Sequence, residues 1–143
     1  MSSTWVLLVD DEEEFLEVLA DRLEARGLRV DTAPNGESAL ERAETKEYDA
    51  ILLDMAMPGL TGTETLRRLL EINADLQIIL LTGQSTLGQA VEAMKQGALD
   101  FLEKPADIDT LVDRIETAAT KKSSLMDKRI EERLSDIMRK KGW

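Results

Sequence analysis

Residues 48–62 read Tyr48-Asp49-Ala50-Ile51-Leu52-Leu53-Asp54-Met55-Ala56-Met57-Pro58-Gly59-Leu60-Thr61-Gly62. The apolar run from Ala50 to Leu53 predicts a short strand buried on both faces, as strands of parallel sheets are. The run ends in the carboxylate of Asp54, and the proline and glycines beyond it predict that the chain leaves the sheet in a loop. A charge at the end of such a strand lies at the edge where open α/β sheets bind ligands. Taken alone, Asp54 could equally be a turn-former or a helix cap.

The composition restricts the chemistry that this chain can perform. Its 143 residues suffice for one domain with a core of its own. The sequence contains no cysteine and no histidine, which excludes disulfides, thiol catalysis, and a histidine base or phosphohistidine relay within the chain. Any metal bound to it would be a hard cation with oxygen ligands, such as Mg²⁺.

The net charge of −11 is unevenly distributed. Residues 121–143 carry eight basic and four acidic side chains, so residues 1–120 carry a net charge of −15. This acidic body argues against direct binding of nucleic acid. The N-terminus lacks the pattern of a secretion signal, and no apolar run reaches the length of a membrane span. A soluble cytoplasmic protein that does not enter a membrane is therefore expected.

Strand and helix signals alternate five times along the chain. The predicted strands are Trp5–Val9, Leu28–Ala33, Ala50–Leu53, Leu76–Leu81 and Ala98–Leu102. The predicted helices run from after Asp11 to the glycine stop at Gly27, over Glu37–Lys46, Thr63–Ile72 and Leu87–Gln96, and onward from near Asp107. Such alternation predicts an α/β fold, with a parallel sheet covered by helices on both faces and joined by right-handed crossovers.

Polar side chains follow four of the five predicted strands. They are Asp10 and Asp11, Asp54, Thr82 and Lys104. Because the carboxyl ends of parallel strands share one edge of the sheet, we expect these side chains to gather around one pocket. For Asp11, capping of the first helix is an alternative interpretation, since the acidic residues that follow also suit a helix start.

The expected pocket has the parts needed for phosphoryl transfer. Three neighbouring carboxylates repel one another, and a divalent hard cation relieves that repulsion. Lys104 would supply a positive charge, Thr82 a hydroxyl donor, and Gly83 a backbone N–H that could approach an anion. Asp54 would be the nucleophile and form an acyl phosphate, a reaction that needs positioning and charge neutralisation more than a histidine.

In these motifs the chain resembles the receiver domains of response regulators in two-component signalling. The matching residues are the Asp10-Asp11 pair, Asp54 in DMAMPGLTG, Thr82-Gly83, Lys104-Pro105, and Phe101 where the family keeps a switch aromatic. The match covers about residues 4–120, with every motif in order. The resemblance implies a flavodoxin-like, doubly wound sheet of five parallel strands in the order 2-1-3-4-5, with helices on both faces and an extra C-terminal helix.

The resemblance also implies a metal site and an acceptor. Asp11 would ligate Mg²⁺ directly and Asp10 mostly through water. Asp54 would accept the phosphoryl group while also holding the metal, with the backbone carbonyl of Ala56 as a further ligand. Thr61 is a departure from the family pattern, because many relatives have Asp or Asn before the glycine.

The remaining implied roles concern the phosphoryl group and its consequences. Lys104 and Thr82 would bind phosphoryl oxygens with the backbone of Gly83, and Thr82 would move inward to let Phe101 rotate. The Lys104–Pro105 peptide bond is expected to be cis. Two further positions, Ala56 and Gln84, are expected to tune the lifetime of the phosphorylated aspartate by controlling the path of the attacking water.

The implied function is a signalling switch that receives its phosphoryl group from a sensor histidine kinase or a phosphotransfer protein. Its output would be a changed surface formed by the fourth helix, fifth strand and fifth helix, for partner binding or dimerisation. The chain would be no enzyme beyond catalysing its own phosphorylation and dephosphorylation. Two alternatives are a pseudo-receiver that only binds, and a haloacid-dehalogenase-like phosphatase, which would need an Asp-x-Asp where Asp10 is followed by Glu12.

The last part of the chain is predicted to lie outside the receiver domain, with residues 1–121 forming that domain and 122–143 a C-terminal helical tail or linker. Apolar residues recur there at helical spacing, which predicts a helix that continues or follows the preceding one. They are Leu125, Met126, Ile130, Leu134, Ile137 and Met138. This helix would be either solvated or a dimerising or partner-binding element, so a homodimer would form through it or through the fourth helix, fifth strand and fifth helix.

Overall fold

The computed structural model describes residues 4–57, 59–83 and 87–140. All ten elements expected from the sequence are present, with ends within two residues of the predicted ones. The strands are β1 (Trp5–Val9), β2 (Arg29–Ala33), β3 (Ala50–Asp54), β4 (Ile78–Thr82) and β5 (Asp100–Glu103). The helices are α1 (Glu13–Ala25), α2 (Gly36–Thr45), α3 (Gly62–Ile72), α4 (Leu87–Gln96) and α5 (Ile108–Lys140).

The five strands form one parallel sheet in the order β2-β1-β3-β4-β5, which confirms the predicted topology. The register aligns the ends of neighbouring strands, so that Val9 pairs with Leu53, Asp54 with Leu81, and Thr82 with Glu103. This alignment brings the polar residues at the strand ends to one edge of the sheet.

The two faces of the sheet bury separate apolar layers, because successive side chains of a strand point to opposite faces. On β3, Ile51 and Leu53 join a cluster with residues of α2, α3 and α4. Ala50 and Leu52 of the same strand join a second cluster with residues of α1 and α5. The apolar run of β3 is buried along its whole length, as its sequence predicted.

The interpretation of Asp11 as the cap of α1 is wrong. The N-cap residue is Glu12, and no side chain caps the helix. Instead, Oδ1 of Asp10 accepts a hydrogen bond of 2.9 Å from the backbone N–H of Glu12. The buried Asp10 therefore accepts the hydrogen bond at the start of the helix, and the exposed carboxylate of Asp11 is not needed for capping.

The tail continues the last helix without a break, since α5 is a single helix of 33 residues. Lys122 is buried at its middle, with Nζ 3.7 Å from Oδ1 of Asp49 and 3.9 Å from Oε2 of Glu47. About two turns further along the helix, Arg129 pairs with Asp75 at 2.8 Å. Within the described residues, none of the helices combines the length and apolar character needed to cross a membrane.

Candidate functional site

Three carboxylates meet at the edge where β1 and β3 end. Asp10, Asp11 and Asp54 each offer an oxygen atom, and these atoms lie within 4.8 Å of one another. Asp10 and Asp54 are buried, whereas Asp11 is exposed at the mouth of the site. The structure thus brings together the three aspartates that the sequence singled out.

Lys104 enters this cluster from the end of β5. Its Nζ donates to Oδ2 of Asp10 at 2.6 Å and lies 3.5 Å from Oδ1 of Asp54. Burial alone would lower the pKa of Lys104, but the hydrogen bond to Asp10 and the charge of Asp54 outweigh it, so the pKa is raised. The lysine is therefore a firmly charged group between two buried carboxylates.

Asp54 is held in a less favourable environment. Burial is the main cause that raises its pKa above the ordinary value, and the neighbouring charge of Asp10 adds to it. Lys104 and a hydrogen bond of 3.3 Å from the backbone N–H of Ala56 act in the opposite direction. Burial therefore disfavours the charged form of this carboxylate, and a bound cation would favour it.

Thr82 lies at the end of β4, between β3, which ends at Asp54, and β5, which Lys104 follows. Its side chain is fully buried, and Oγ1 has no hydrogen-bond partner among the described residues. The backbone carbonyl of Thr82 accepts a 2.8 Å hydrogen bond from the N–H of Lys104, which ties the two positions together. A buried hydroxyl without a partner is costly, so an acceptor that enters the site would satisfy it.

Phe101 lies on β5, two residues before Glu103, the strand partner of Thr82. It pairs with Leu80 and packs, partly buried, against the apolar cluster beneath α2, α3 and α4. Its side chain is therefore only partly exposed. The Lys104–Pro105 peptide bond is cis, as expected.

The loop after Asp54 is fixed at its far end. Thr61 caps α3, since its Oγ1 accepts a 3.1 Å hydrogen bond from the N–H of Glu64. At Gly62, a Cβ would lie 2.7 Å from the Cα of Met55, so the chain returns close to the residue that follows Asp54. The departure from the family pattern at Thr61 therefore serves as a helix cap.

Other predicted positions are less constrained. Ala56 is exposed beside Asp54, and a Cβ at Gly83 would meet none of the described atoms within 4 Å. Glycine at position 83 is thus not required by crowding in the described part of the chain. Gln84, the second candidate for lifetime tuning, lies outside the described residues.

One residue of the site was not anticipated. Phe15, in the first turn of α1, presents its ring face to Lys104, with Nζ 4.5 Å from the ring centroid. The sequence pattern marked it only as part of the apolar face of the helix. A possible signal was its rarity, since the chain has two phenylalanines and this one follows Asp10 by five residues.

The donor set of the site fits a hard divalent cation. Three carboxylates with oxygen atoms in mutual reach suit Mg²⁺ or a similar ion, which takes oxygen ligands and retains several waters. The exposed position of Asp11 leaves one side of the cluster open to water and to an incoming anion.

Comparisons with known proteins identify the family to which the chain belongs. A family model described as the response regulator receiver domain matches residues 6–116. The C4-dicarboxylate transport transcriptional regulatory protein DctD of Pseudomonas aeruginosa is 41% identical over 118 residues, covering 82% of this chain and 25% of that protein. The DNA-binding transcriptional regulator NtrC of Escherichia coli is 39% identical over 113 residues, covering 79% and 24%. The chain therefore spans about a quarter of the length of these two relatives.

Solved structures show the same fold. A response regulator receiver domain protein from Clostridium thermocellum superimposes with a TM-score of 0.82 at 34% identity. That alignment covers 85% of this chain and 98% of the other.

Proposed function

The protein belongs to the response-regulator receiver-domain family, and from this premise we propose that it is a phosphorylation-dependent signalling switch with Asp54 as the acceptor. The observation that carries the proposal is the convergence of Asp54 with a charged Lys104 and the unpartnered hydroxyl of Thr82 at one edge of the sheet. A nucleophile, a cation and a spare donor are what transfer of a phosphoryl group requires.

In the proposed reaction, a carboxylate oxygen of Asp54 attacks the phosphorus of a phosphohistidine on a sensor kinase or phosphotransfer protein. The O–P bond forms as the P–N bond breaks, and the imidazole nitrogen leaves with the bonding electrons and takes up a proton. Lys104, 3.5 Å from Oδ1 of Asp54, is near enough to offset the charge of the transferred group. Thr82 would donate its hydroxyl to a phosphoryl oxygen and so gain the partner that it lacks.

Asp10, Asp11 and Asp54, with the carbonyl of Ala56, would hold Mg²⁺. When bound, the ion offsets the negative charges of the carboxylates and of the phosphoryl group. Asp10 would keep its two local bonds to Glu12 and Lys104 as the innermost member of the set. The role of the Ala56 carbonyl and the tuning roles of Ala56 and Gln84 stay predictions, which unchanged dephosphorylation rates in Ala56→Asn and Gln84→Ala would contradict.

The output would be a shift between two arrangements of the surface formed by α4, β5 and α5. Movement of Thr82 towards the phosphoryl group would vacate space for Phe101, whose ring is only partly covered. Phosphorylation would thereby change the relative populations of the two arrangements. The partners would be the phosphodonor protein and, on this surface or on the C-terminal part of α5, a second copy of the chain.

The test is incubation with Mg²⁺ and acetyl phosphate, followed by mass spectrometry of peptides. We expect a base-labile phosphoryl adduct on Asp54 that is absent in Asp54→Asn and present in Asp109→Asn, a matched loss of an exposed carboxylate on α5. A pseudo-receiver would form no adduct. A phosphatase would release inorganic phosphate in a reaction that depends on Asp10, and either outcome would refute the proposal.

A further inference from the structure

The ammonium group of Lys104 has three close neighbours. Asp10 binds it at 2.6 Å, Oδ1 of Asp54 lies at 3.5 Å, and the ring of Phe15 lies beneath it with the centroid at 4.5 Å. A lysine ammonium over the face of an aromatic ring is attracted by the negative charge density of that face. The ring therefore adds a third, uncharged contact to the two carboxylates.

Asp10 helps to position both Lys104 and Phe15, the two residues of the contact between ammonium group and ring. Its Oδ1 accepts the N–H of Glu12, which fixes the start of α1 and hence Phe15 in its first turn, while its Oδ2 binds Lys104. The ring also borders a cavity of about 240 Å³ between α1 and the start of α5. Its lining is mostly apolar and includes Phe15, Val18 and the side chain of Lys104.

Lysine has a flexible four-carbon stem, and the cavity gives that stem room to move away from the acceptor. We propose that Phe15 is a positioning residue for phosphoryl transfer, because its ring holds the Lys104 ammonium beside Asp54. This inference rests on the proposed function of Asp54. In this proposal Phe15, in the first turn of α1, affects the reaction by positioning Lys104 and does not contact the phosphoryl group itself.

The rate of adduct formation from acetyl phosphate and Mg²⁺ tests the proposal in the full chain. Phe15→Leu keeps an apolar side chain but removes the ring face, and we expect adduct formation to slow by about fivefold. Phe15→Tyr keeps the ring face and should restore most of the rate. Val18→Ala lines the same cavity from the same helix and serves as the control, with the wild-type rate expected.

Two further measurements separate positioning from a merely structural effect. In a Lys104→Ala background, Phe15→Leu should cause no additional slowing, because the residue on which the ring acts is gone. In NMR spectra, the ε-methylene protons of Lys104 should show an upfield ring-current shift that disappears in Phe15→Leu and persists in Phe15→Tyr. This second readout does not depend on turnover.

Equal rates for the wild type and Phe15→Leu would overturn the positioning role, as would the same slowing with and without Lys104. An unchanged Lys104 resonance in Phe15→Leu would overturn it as well. Failure of the wild-type chain to form any adduct on Asp54 would instead refute the proposed function. The two failures are therefore distinguishable in one set of experiments.

Discussion

The two carboxylate oxygens of Asp10 have different partners. Oδ1 accepts the N–H of Glu12 and Oδ2 binds Lys104, so one buried side chain connects the end of β1 with the start of α1 and the end of β5. Asp11, its neighbour, is exposed. Two adjacent aspartates therefore differ in environment, since the first is buried with two partners and the second is exposed.

Asp31 lies outside the site, and its hydrogen bonds and ion pair are expected to contribute to stability. Its Oδ2 accepts hydrogen bonds from Nζ of Lys46 at 2.9 Å and from the hydroxyl of Tyr48 at 2.7 Å. Burial would raise the pKa of Asp31, but these two bonds and the charge of Lys46 together lower it. We predict that Asp31→Asn lowers the free energy of unfolding by about 1 kcal/mol at neutral pH.

The pH dependence of this effect follows from the direction of the shift. Because the pKa of Asp31 is lower in the folded than in the unfolded chain, its stabilisation is complete above the ordinary value of 3.8. It is lost as the pH falls through the folded value. Urea unfolding of Asp31→Asn and the wild type should therefore converge in acid, with Glu44→Gln, exposed on α2, as the control. A difference that is the same at every pH would contradict this origin.

Among the elements, the loop between β3 and α3 is constrained by close packing at one glycine. A Cβ at Gly62 would lie 2.7 Å from the Cα of Met55, a backbone atom that cannot move without displacing the residue beside Asp54. We predict that Gly62→Ala lowers the free energy of unfolding by about 1–3 kcal/mol in urea denaturation.

Gly88 provides the matched control for that substitution. It is exposed in α4, and a Cβ there would meet none of the described atoms within 4 Å. Gly88→Ala should raise the free energy of unfolding by about 0.5–1 kcal/mol, because alanine restricts the unfolded chain and favours helix. If both substitutions changed the free energy of unfolding in the same direction, the crowding at Gly62 would not be what determines its effect.

The long helix α5 contacts the acidic residues that precede β3 through the side chain of Lys122. This side chain is buried, and its Nζ lies 3.7 Å from Asp49 and 3.9 Å from Glu47 at the start of β3. We predict that Lys122→Glu places a third negative charge there and frees the C-terminal part of α5 from the body. Hydrogen exchange of residues 119–130 should become faster, whereas Lys121→Glu, the same charge change at the exposed neighbouring position, should leave it unchanged. Equal effects of both substitutions would point to helix propensity instead.

Sequence reasoning succeeded where local pattern and strand direction sufficed. The apolar runs predicted β1, β3 and β4, and the rule that parallel strands end at one edge brought Asp54 and Lys104 together. It failed where contacts join distant parts of the chain. The local pattern around Lys122 did not predict its burial, because the acids that it contacts lie more than 70 residues away in sequence. The contact of Phe15 with Lys104 likewise joins elements at opposite ends of the chain.

At the scale of the whole molecule, Thr82 lies at the end of β4 beside β5, one of the elements of the proposed output surface. Thr82 pairs with Glu103 and Leu80 with Phe101, and residues two apart on a strand face the same side of the sheet. Thr82 and Phe101 therefore share a face, with the threonine at the site and the phenylalanine against the cluster beneath α4. We therefore expect a displacement of the buried threonine to change the space next to that ring.

We predict that this coupling depends on the side chain of Thr82. In the wild type, phosphorylation of Asp54 should change hydrogen exchange in residues 87–96 and 100–103, because α4 and β5 adopt the second arrangement. In Thr82→Ala the adduct should still form, more slowly, but the change in exchange should be lost, since no hydroxyl is drawn towards the phosphoryl group. Thr45→Ala, an exposed threonine at the end of α2, should behave as the wild type. The same exchange response in phosphorylated Thr82→Ala and wild-type protein would mean that the signal leaves the site by another route, and Lys104, bound through its backbone to the same strand end, would be the next residue to test.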